Sequence, residues 1–261
     1  MSKDKTYIIG NWKMNKNIHD SSMLVHKLAS TIKVRRDVEV VLAPVTLALQ
    51  AISLQINRRQ FKLAAQNFYW RDEGAFTGEV SAYQLKGLVE YAIVGHSERR
   101  HIFGEIDKDI RSKVQAALRN DIKPILCVGE TASERANNET KDVLADQILG
   151  GLANVASNEI KNVVIAYEPV WAIGTGNFAS PEDAVAAARI IRSQIRHLYG
   201  EEISHKVPVL YGGSVSTDNA SAYLNCIELD GLLIGGASLD SHQFSEIVKK
   251  AHNAGKKVDS K

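Results

Sequence analysis

The chain has 261 residues, enough to bury a large core and near the upper size for one domain. Its 32 Lys and Arg almost balance 30 Asp and Glu, giving a formal net charge of +2. That balance argues against a nucleic-acid binder, which gathers basic residues on one face.

Other features set the expected compartment. Residues 1–13, MSKDKTYIIGNWK, lack the apolar stretch and small-residue cleavage site of a secretion signal. No apolar run approaches the roughly 20 residues that span a membrane. Cys127 lies inside an apolar run and Cys226 ends a helix-like stretch, so neither invites a disulfide or a zinc site. Free thiols fit a reducing compartment, and a cytoplasmic protein is expected. The one basic cluster, Lys249, Lys250, Lys256 and Lys257, reads as a solvated tail.

Eight short apolar or β-branched runs follow one another along the chain. They are YIIGNW from Tyr7, VEVVLAP from Val38, FKLAAQN from Phe61 and YAIVGH from Tyr91, then PILCVGE from Pro124, NVVIAYE from Asn162, VPVLYGG from Val207 and DGLLIGG from Asp230. They are continuous instead of alternating, as in parallel strands buried on both faces. Helix-like stretches separate them. The clearest starts SPEDAVAAARII, with Ser180 as N-cap, Pro181 in the first turn, acidic Glu182 and Asp183, and Gly200 to close it. SSMLVHKLASTI, DIRSKVQAALRN, KDVLADQILGGLANV and FSEIVKKAHN carry apolar residues at three- and four-residue spacing. SAYQLKGL and TDNASAYLNC read as shorter helices.

Eight strand–helix units in this length predict an α/β fold, a single (β/α)8 barrel of eight parallel strands with an outer ring of helices, spanning 1–261 as one domain. A doubly wound sheet would carry Gly-x-Gly-x-x-Gly after its first strand; here that strand leads into Asn11-Trp12-Lys13.

A barrel of this kind carries its chemistry at the C-terminal ends of its strands. Asn11 and Lys13 stand there after the first, His96 and Glu98 after the fourth, Glu168 after the sixth. Gly212-Gly213-Ser214 and Gly235-Gly236-Ala237-Ser238 follow the seventh and eighth, where barrels often hold a phosphate. Taken singly, Lys13 could be a solvated lysine, His96 an interior histidine, and Glu98 an ion-pair partner of Arg99 or Arg100. Together they give a base, an acid or electrophile, a cation and two glycine turns on one rim. No residue spacing suggests a metal, and no cofactor is expected.

The sixth strand raises its own question: in YEPVWAIGTG, residues 167–176, a carboxylate is followed by a proline and an apolar loop closed by two glycines. A water-excluding flap over Glu168 answers it, since desolvation raises a carboxyl pKa and makes a stronger base.

NWKMN (11–15), AQN and GAFTGE within 65–79, GHSERR (95–100), LCVGE (126–130), AYEPVWAIGTG (166–176), YGGSV (211–215) and GLLIGGASL (231–239) together resemble the triosephosphate isomerase family, in order and over nearly the whole chain. The resemblance implies proton transfer through an enediolate between D-glyceraldehyde 3-phosphate and dihydroxyacetone phosphate, a step of glycolysis and gluconeogenesis. Glu168 would be the base, a neutral His96 the electrophile, Lys13 and Asn11 stabilisers of the enediolate, and Glu98 a support. Asn11, Lys13, Gly174, Ser214, Gly235 and Gly236 would bind substrate. Pro169, Val170, Trp171, Ala172, Ile173, Gly174, Thr175 and Gly176 would form the lid, latched by Tyr211.

The segment FYWRDEGAFTGEV, residues 68–80, is long for a connection and rich in aromatics. Phe68, Tyr69, Trp70 and Phe76 could cover the barrel's own rim or face a partner. The resemblance implies a homodimer, with Phe76, Thr77 and Gly78 at the interface. The expected partners are thus a triose phosphate and a second copy, with no nucleic acid and no membrane. A glycosidase using Glu98 and Glu168, a Schiff-base aldolase on Lys13, and a catalytically idle binding barrel are the rival readings.

Overall fold

The computed structural model describes residues 5–172 and 178–256. Eight parallel strands close into a barrel in chain order: β1 Thr6–Asn11, β2 Val38–Ala43, β3 Lys62–Ala65, β4 Tyr91–Val94, β5 Lys123–Val128, β6 Val164–Tyr167, β7 Val209–Tyr211 and β8 Gly231–Ile234. The last strand pairs with the first, Ile9 opposite Leu233. The eight predicted runs are these eight strands.

Helices α1 Ile18–Thr31, α2 Thr46–Gln55, α3 Ala82–Leu85, α4 Ser97–His101, α5 Asp107–Arg119 and α6 Ala132–Ala136 surround the first half. Helices α7 Thr140–Leu152, α8 Pro181–Tyr199, α9 Glu201–Ser204, α10 Ala220–Leu224 and α11 Ser241–Lys256 complete the ring. α8 starts as its sequence predicts: the Ser180 and Asp183 side chains exchange hydrogen bonds with each other's backbone N–H.

Strand parity divides the core in two. Ile9, Val41, Ile93, Ile125, Cys127, Val164, Ala166, Leu210 and Leu233 belong to a cluster made only of strand residues, so it lies inside the barrel. Their neighbours Ile8, Leu42, Leu126, Ile165, Val209 and Leu232 join the helix residues Leu28, Val114, Ile148, Ile191 and Ile247 in the outer layer. Both faces of every strand are therefore apolar, which is why the runs do not alternate. Among the described residues no helix is long and apolar enough to cross a membrane.

Candidate active site

The inward parity carries on past the strand ends. Asn11 follows Ile9, Glu168 follows Ala166, Gly212 follows Leu210 and Gly235 follows Leu233, so all four face the mouth of the barrel. They line one cavity of about 260 Å³ with Lys13, His96, Gly213, Ser214, Val215, Leu233, Gly236 and Ala237. His96 is out of step with Ile93 because Gly95 intervenes at φ +69°, a left-handed conformation that turns the chain.

Glu168 is buried, with 2% of its surface exposed. Its segment is laid along β5: Glu168 N–H donates to Val128 O at 2.7 Å and Val170 N–H to Glu130 O at 3.1 Å. Between these bonds the chain passes Gly129 so closely that a Cβ there would lie 1.7 Å from the Glu168 carbonyl oxygen. Only glycine lets the Glu168 segment sit at this depth.

The carboxylate has two partners. Ser97 N–H, in the first turn of α4, donates to Oε2 at 2.8 Å, and His96 Nε2 lies 2.9 Å from Oε1. Burial alone would raise the Glu168 pKa, but the His96 ring and the Ser97 N–H outweigh it and hold the carboxyl below its ordinary range. This corrects the expectation that desolvation makes Glu168 a stronger base here: burial is present, yet the donors in this arrangement favour the anion.

For His96, burial disfavours the imidazolium, while the facing carboxylate raises the ring's proton affinity above its ordinary value. The Glu98 N–H donates to Nδ1 at 3.2 Å, so with that bond in place the ring holds one proton, on Nε2.

Lys13 sits at φ 52°, in a region unfavourable for a residue with a side chain. Asn11 Oδ1 accepts the Lys13 N–H at 3.0 Å, and Gln66 Nε2 donates to the Lys13 carbonyl at 2.9 Å and to Ala43 O at 2.8 Å, so the ends of β1, β2 and β3 together hold the strained turn in place. The Lys13 ammonium meets Glu98 Oε1 at 2.6 Å. The alternative pairing of Glu98 with its chain neighbours is thus not what forms. Arg99 pairs with Glu105, and Arg100 with Asp107 at 2.8 Å.

Across the cavity stand the glycine turns. Gly236–Leu239 forms a short 3₁₀ turn, whose first N–H groups have no partner within the turn. Ser214 Oγ donates to Ala172 O at 2.8 Å, tying this side to the segment after Glu168. Val170–Ala172 is also a 3₁₀ turn, with Ala172 buried and Trp171 Nε1 donating to Glu130 Oε1 at 2.9 Å. Ile173, Gly174, Thr175 and Gly176, expected to complete the lid, lie outside the described residues. Tyr211 is buried and stacked on Tyr223, ring centroids 4.1 Å apart.

The aromatic loop after β3 is partly buried and partly exposed. Phe68 is buried and Trp70 packs against the core, whereas Phe76, Thr77 and Gly78 are exposed. Among the described residues no three His, Cys, Asp or Glu side chains gather as a metal site requires.

The sequence reading did not pick out Ser97, whose backbone N–H carries no signature, nor Gln66 or Glu130. Glu130 carried the same signal as Glu168, a carboxylate closing an apolar strand run, in LCVGE. Its Oε1 accepts from both the Tyr167 hydroxyl and the Trp171 indole.

The family model for triosephosphate isomerase matches residues 6–251 of this sequence. The chain is 44% identical over 245 residues to the triosephosphate isomerase of Alkaliphilus oremlandii, covering 94% of this chain and 98% of that one. It is 43% identical over 249 residues to that of Chloroherpeton thalassium, covering 95% and 99%. With the triosephosphate isomerase of Caldanaerobacter subterraneus the identity is 44% over 242 residues, covering 92% and 97%.

Proposed function

The chain belongs to the triosephosphate isomerase family, and from that premise we propose how its residues interconvert D-glyceraldehyde 3-phosphate and dihydroxyacetone phosphate. The observation that carries the proposal is the Glu168–His96 pair, buried in the same cavity as Lys13 and the two glycine turns.

The substrate's phosphate dianion takes the glycine side. Backbone N–H groups near Gly235 and Gly236 supply donors there, joined by the Ser214 hydroxyl when it gives up Ala172 O. This leaves the two reacting carbons between Glu168 and His96. Glu168 exchanges His96 and Ser97 for the substrate, loses the donors that depress its pKa, and stays buried; its basicity then rises. It removes a proton from one carbon and returns it to the neighbour. Meanwhile His96 donates its Nε2–H to the carbonyl or enediolate oxygen. Once the carboxylate has moved away, burial and the Glu98 N–H on Nδ1 favour the neutral ring. This enzyme family is itself the standing example of such a neutral electrophile.

Lys13 balances the enediolate charge, with Asn11 fixing its turn and Glu98 holding its ammonium. Residues 169–176 form the cover that keeps water from the enediolate, and Tyr211 stands as its latch; loop closure in this family is likewise a standing example. Two rivals lose support at the same residues. A glycosidase needs Glu98 free as an acid or nucleophile, and an aldolase needs Lys13 as a neutral amine, yet the two are ion-paired.

A homodimer belongs to the same proposal. Met14, 94% exposed, follows β1, and Leu47, 80% exposed, follows β2; exposed Phe76 follows β3, and Ile102 and Phe103 follow β4. Four successive strand-to-helix connections and helix starts on the rim beside Lys13 thus present large apolar side chains to a second copy. The cytoplasm, where the expected free thiols persist, is the proposed compartment. A coupled assay of glyceraldehyde 3-phosphate turnover tests the whole reading; purified protein that leaves the substrate unchanged would overturn it.

A further inference from the structure

The near-neutral total charge conceals a division at the end of the barrel opposite the cavity. Because all eight strands are parallel, the segments that lead into them gather at that end. Those leading into β1–β5 (Lys5, 32–39, 56–62, 86–90 and 120–123) carry nine Lys and Arg against four Asp and Glu. Those leading into β6–β8 (153–163, 200–208 and 225–230) carry two against five. Half of this face is therefore strongly basic, although the whole chain is only +2.

Contacts join the basic half into one surface. Glu39, two residues before the inward-facing Val41, accepts from Lys5 at 2.6 Å and from the Tyr91 hydroxyl. Lys123 Nζ stands 5.6 Å from the centre of the same Tyr91 ring. Arg58 pairs with Glu90 at 2.9 Å, and Lys62 approaches that carboxylate at 3.9 Å. Gln60 Nε2 donates to Ala29 O at 2.9 Å, so the segment carrying Arg58 and Arg59 abuts the end of α1, from which Lys33, Arg35 and Arg36 continue. Lys33, Arg36 and Arg59 are exposed and meet no carboxylate among the described residues. Two apolar side chains stand beside these charges: Val34 is 51% exposed, and Leu54, in the last turn of α2, 81%.

We propose that this face docks on an acidic lipid bilayer, resting on its surface with the catalytic cavity turned towards solution. Clustered cations are drawn to an anionic leaflet, and exposed apolar side chains among them enter the headgroup layer. The same features suit nucleic acid poorly. Phe61, the one aromatic in the segments leading into β1–β5, is buried, so they offer no ring on which a base could stack. The rim proposed for the dimer lies at the other end of the barrel, which leaves this face open in either state. The expectation of no membrane partner rested on total charge and spanning length, and a surface contact depends on neither.

The experiment sediments the full chain with vesicles of phosphatidylcholine alone or with roughly 30% phosphatidylserine, at about 0.05 and 0.3 M salt. Wild type is expected to bind only the acidic vesicles, and more weakly at the higher salt. One cation near such a surface strengthens binding about fivefold, so the triple variant Lys33→Gln, Arg36→Gln, Arg59→Gln should bind about a hundredfold more weakly. Its turnover and melting midpoint should match wild type. Val34→Ser with Leu54→Ser should lose binding severalfold, by the same factor at both salts. Wild type that ignores phosphatidylserine, or a triple variant that binds as wild type does, overturns the proposal. So does a fluorescent single-stranded RNA that binds where the vesicles do not, which would give the face to nucleic acid. Loss of turnover on the vesicles would show the catalytic rim to be the one in contact, and would overturn it equally.

Discussion

Glu168 and His96 occupy each other before any ligand arrives: the carboxylate Oε1 lies 2.9 Å from the ring Nε2, at the floor of a cavity shared with Lys13. The same contact that holds the two side chains in place weakens the base and strengthens the ring's hold on protons. In the proposed reaction substrate separates them before either acts.

Glu168→Asp withdraws the carboxylate by one methylene. A displacement of about 1 Å costs around a hundredfold in rate, so turnover should fall at least that far while triose-phosphate binding changes little. Steady-state kinetics check this, and undiminished turnover would end the assignment of the base.

The pair also dictates how stability follows pH. Glu168 has its folded-state pKa below the unfolded value of about 4.3, so its contribution is present above that pH and is lost as acid titrates it through the lowered value. His96 has its proton affinity raised, so its share is full below about pH 6.5 and fades as pH climbs through the raised value. The melting midpoint of wild type relative to Glu168→Gln should therefore peak between roughly pH 5 and 6.5. In Glu168→Gln the His96 ring should titrate at lower pH than in wild type, as NMR of the imidazole would show. A flat difference and an unmoved ring would mean the two do not interact in solution.

Lys13→Ala removes a charge that serves bound substrate and enediolate alike. Both binding and rate should suffer, with kcat/KM down on the order of 10²–10³. Measuring kcat and KM separately decides the matter; a loss confined to KM would restrict Lys13 to docking.

Gly129→Ala tests the close passage of the Glu168 segment, where the new methyl would meet a backbone oxygen at 1.7 Å. A cost of roughly 3–5 kcal/mol is expected, or about 10 °C in melting midpoint at this size, together with a loss of turnover. A variant that melts and turns over like wild type would show the passage to be looser.

Much of this was legible in the chain. Apolar runs on both faces gave the strands, and Ser180 and Pro181 marked the start of α8. The reactive residues lay where strand ends must put them. Helix α2, however, escaped: its N-cap, Val45, makes no side-chain hydrogen bond, and Leu47, Leu49, Ile52 and Leu54 spread apolar surface around it, so neither cap nor stripe announced it. The short α4, α6 and α9 are too brief for periodicity to register. Ser97 acts through its backbone N–H, to which its side chain contributes no pattern. The depressed pKa of Glu168 depends on a contact across 72 residues of chain, and no local reading supplies that distance.

Substituting Phe76→Asp or Thr77→Arg would bury an unpaired charge if the exposed loops meet a second copy. Sedimentation should then show monomers, with turnover reduced at least tenfold by loss of support beside Lys13. A wild-type chain that is monomeric and fully active at micromolar concentration would reject the dimer.

The pairing of β8 with β1 has a consequence during synthesis. While the ribosome is still adding residues, β1 has hydrogen-bonding groups along one flank whose partner in the finished barrel is β8. They wait some 220 residues for the final strand to emerge. Until then the nascent sheet carries two raw edges, the features that invite adhesion between neighbouring polypeptides. A chain stopped short of Gly231 therefore leaves those edges bare for good, and removing the final units endangers solubility as much as catalysis.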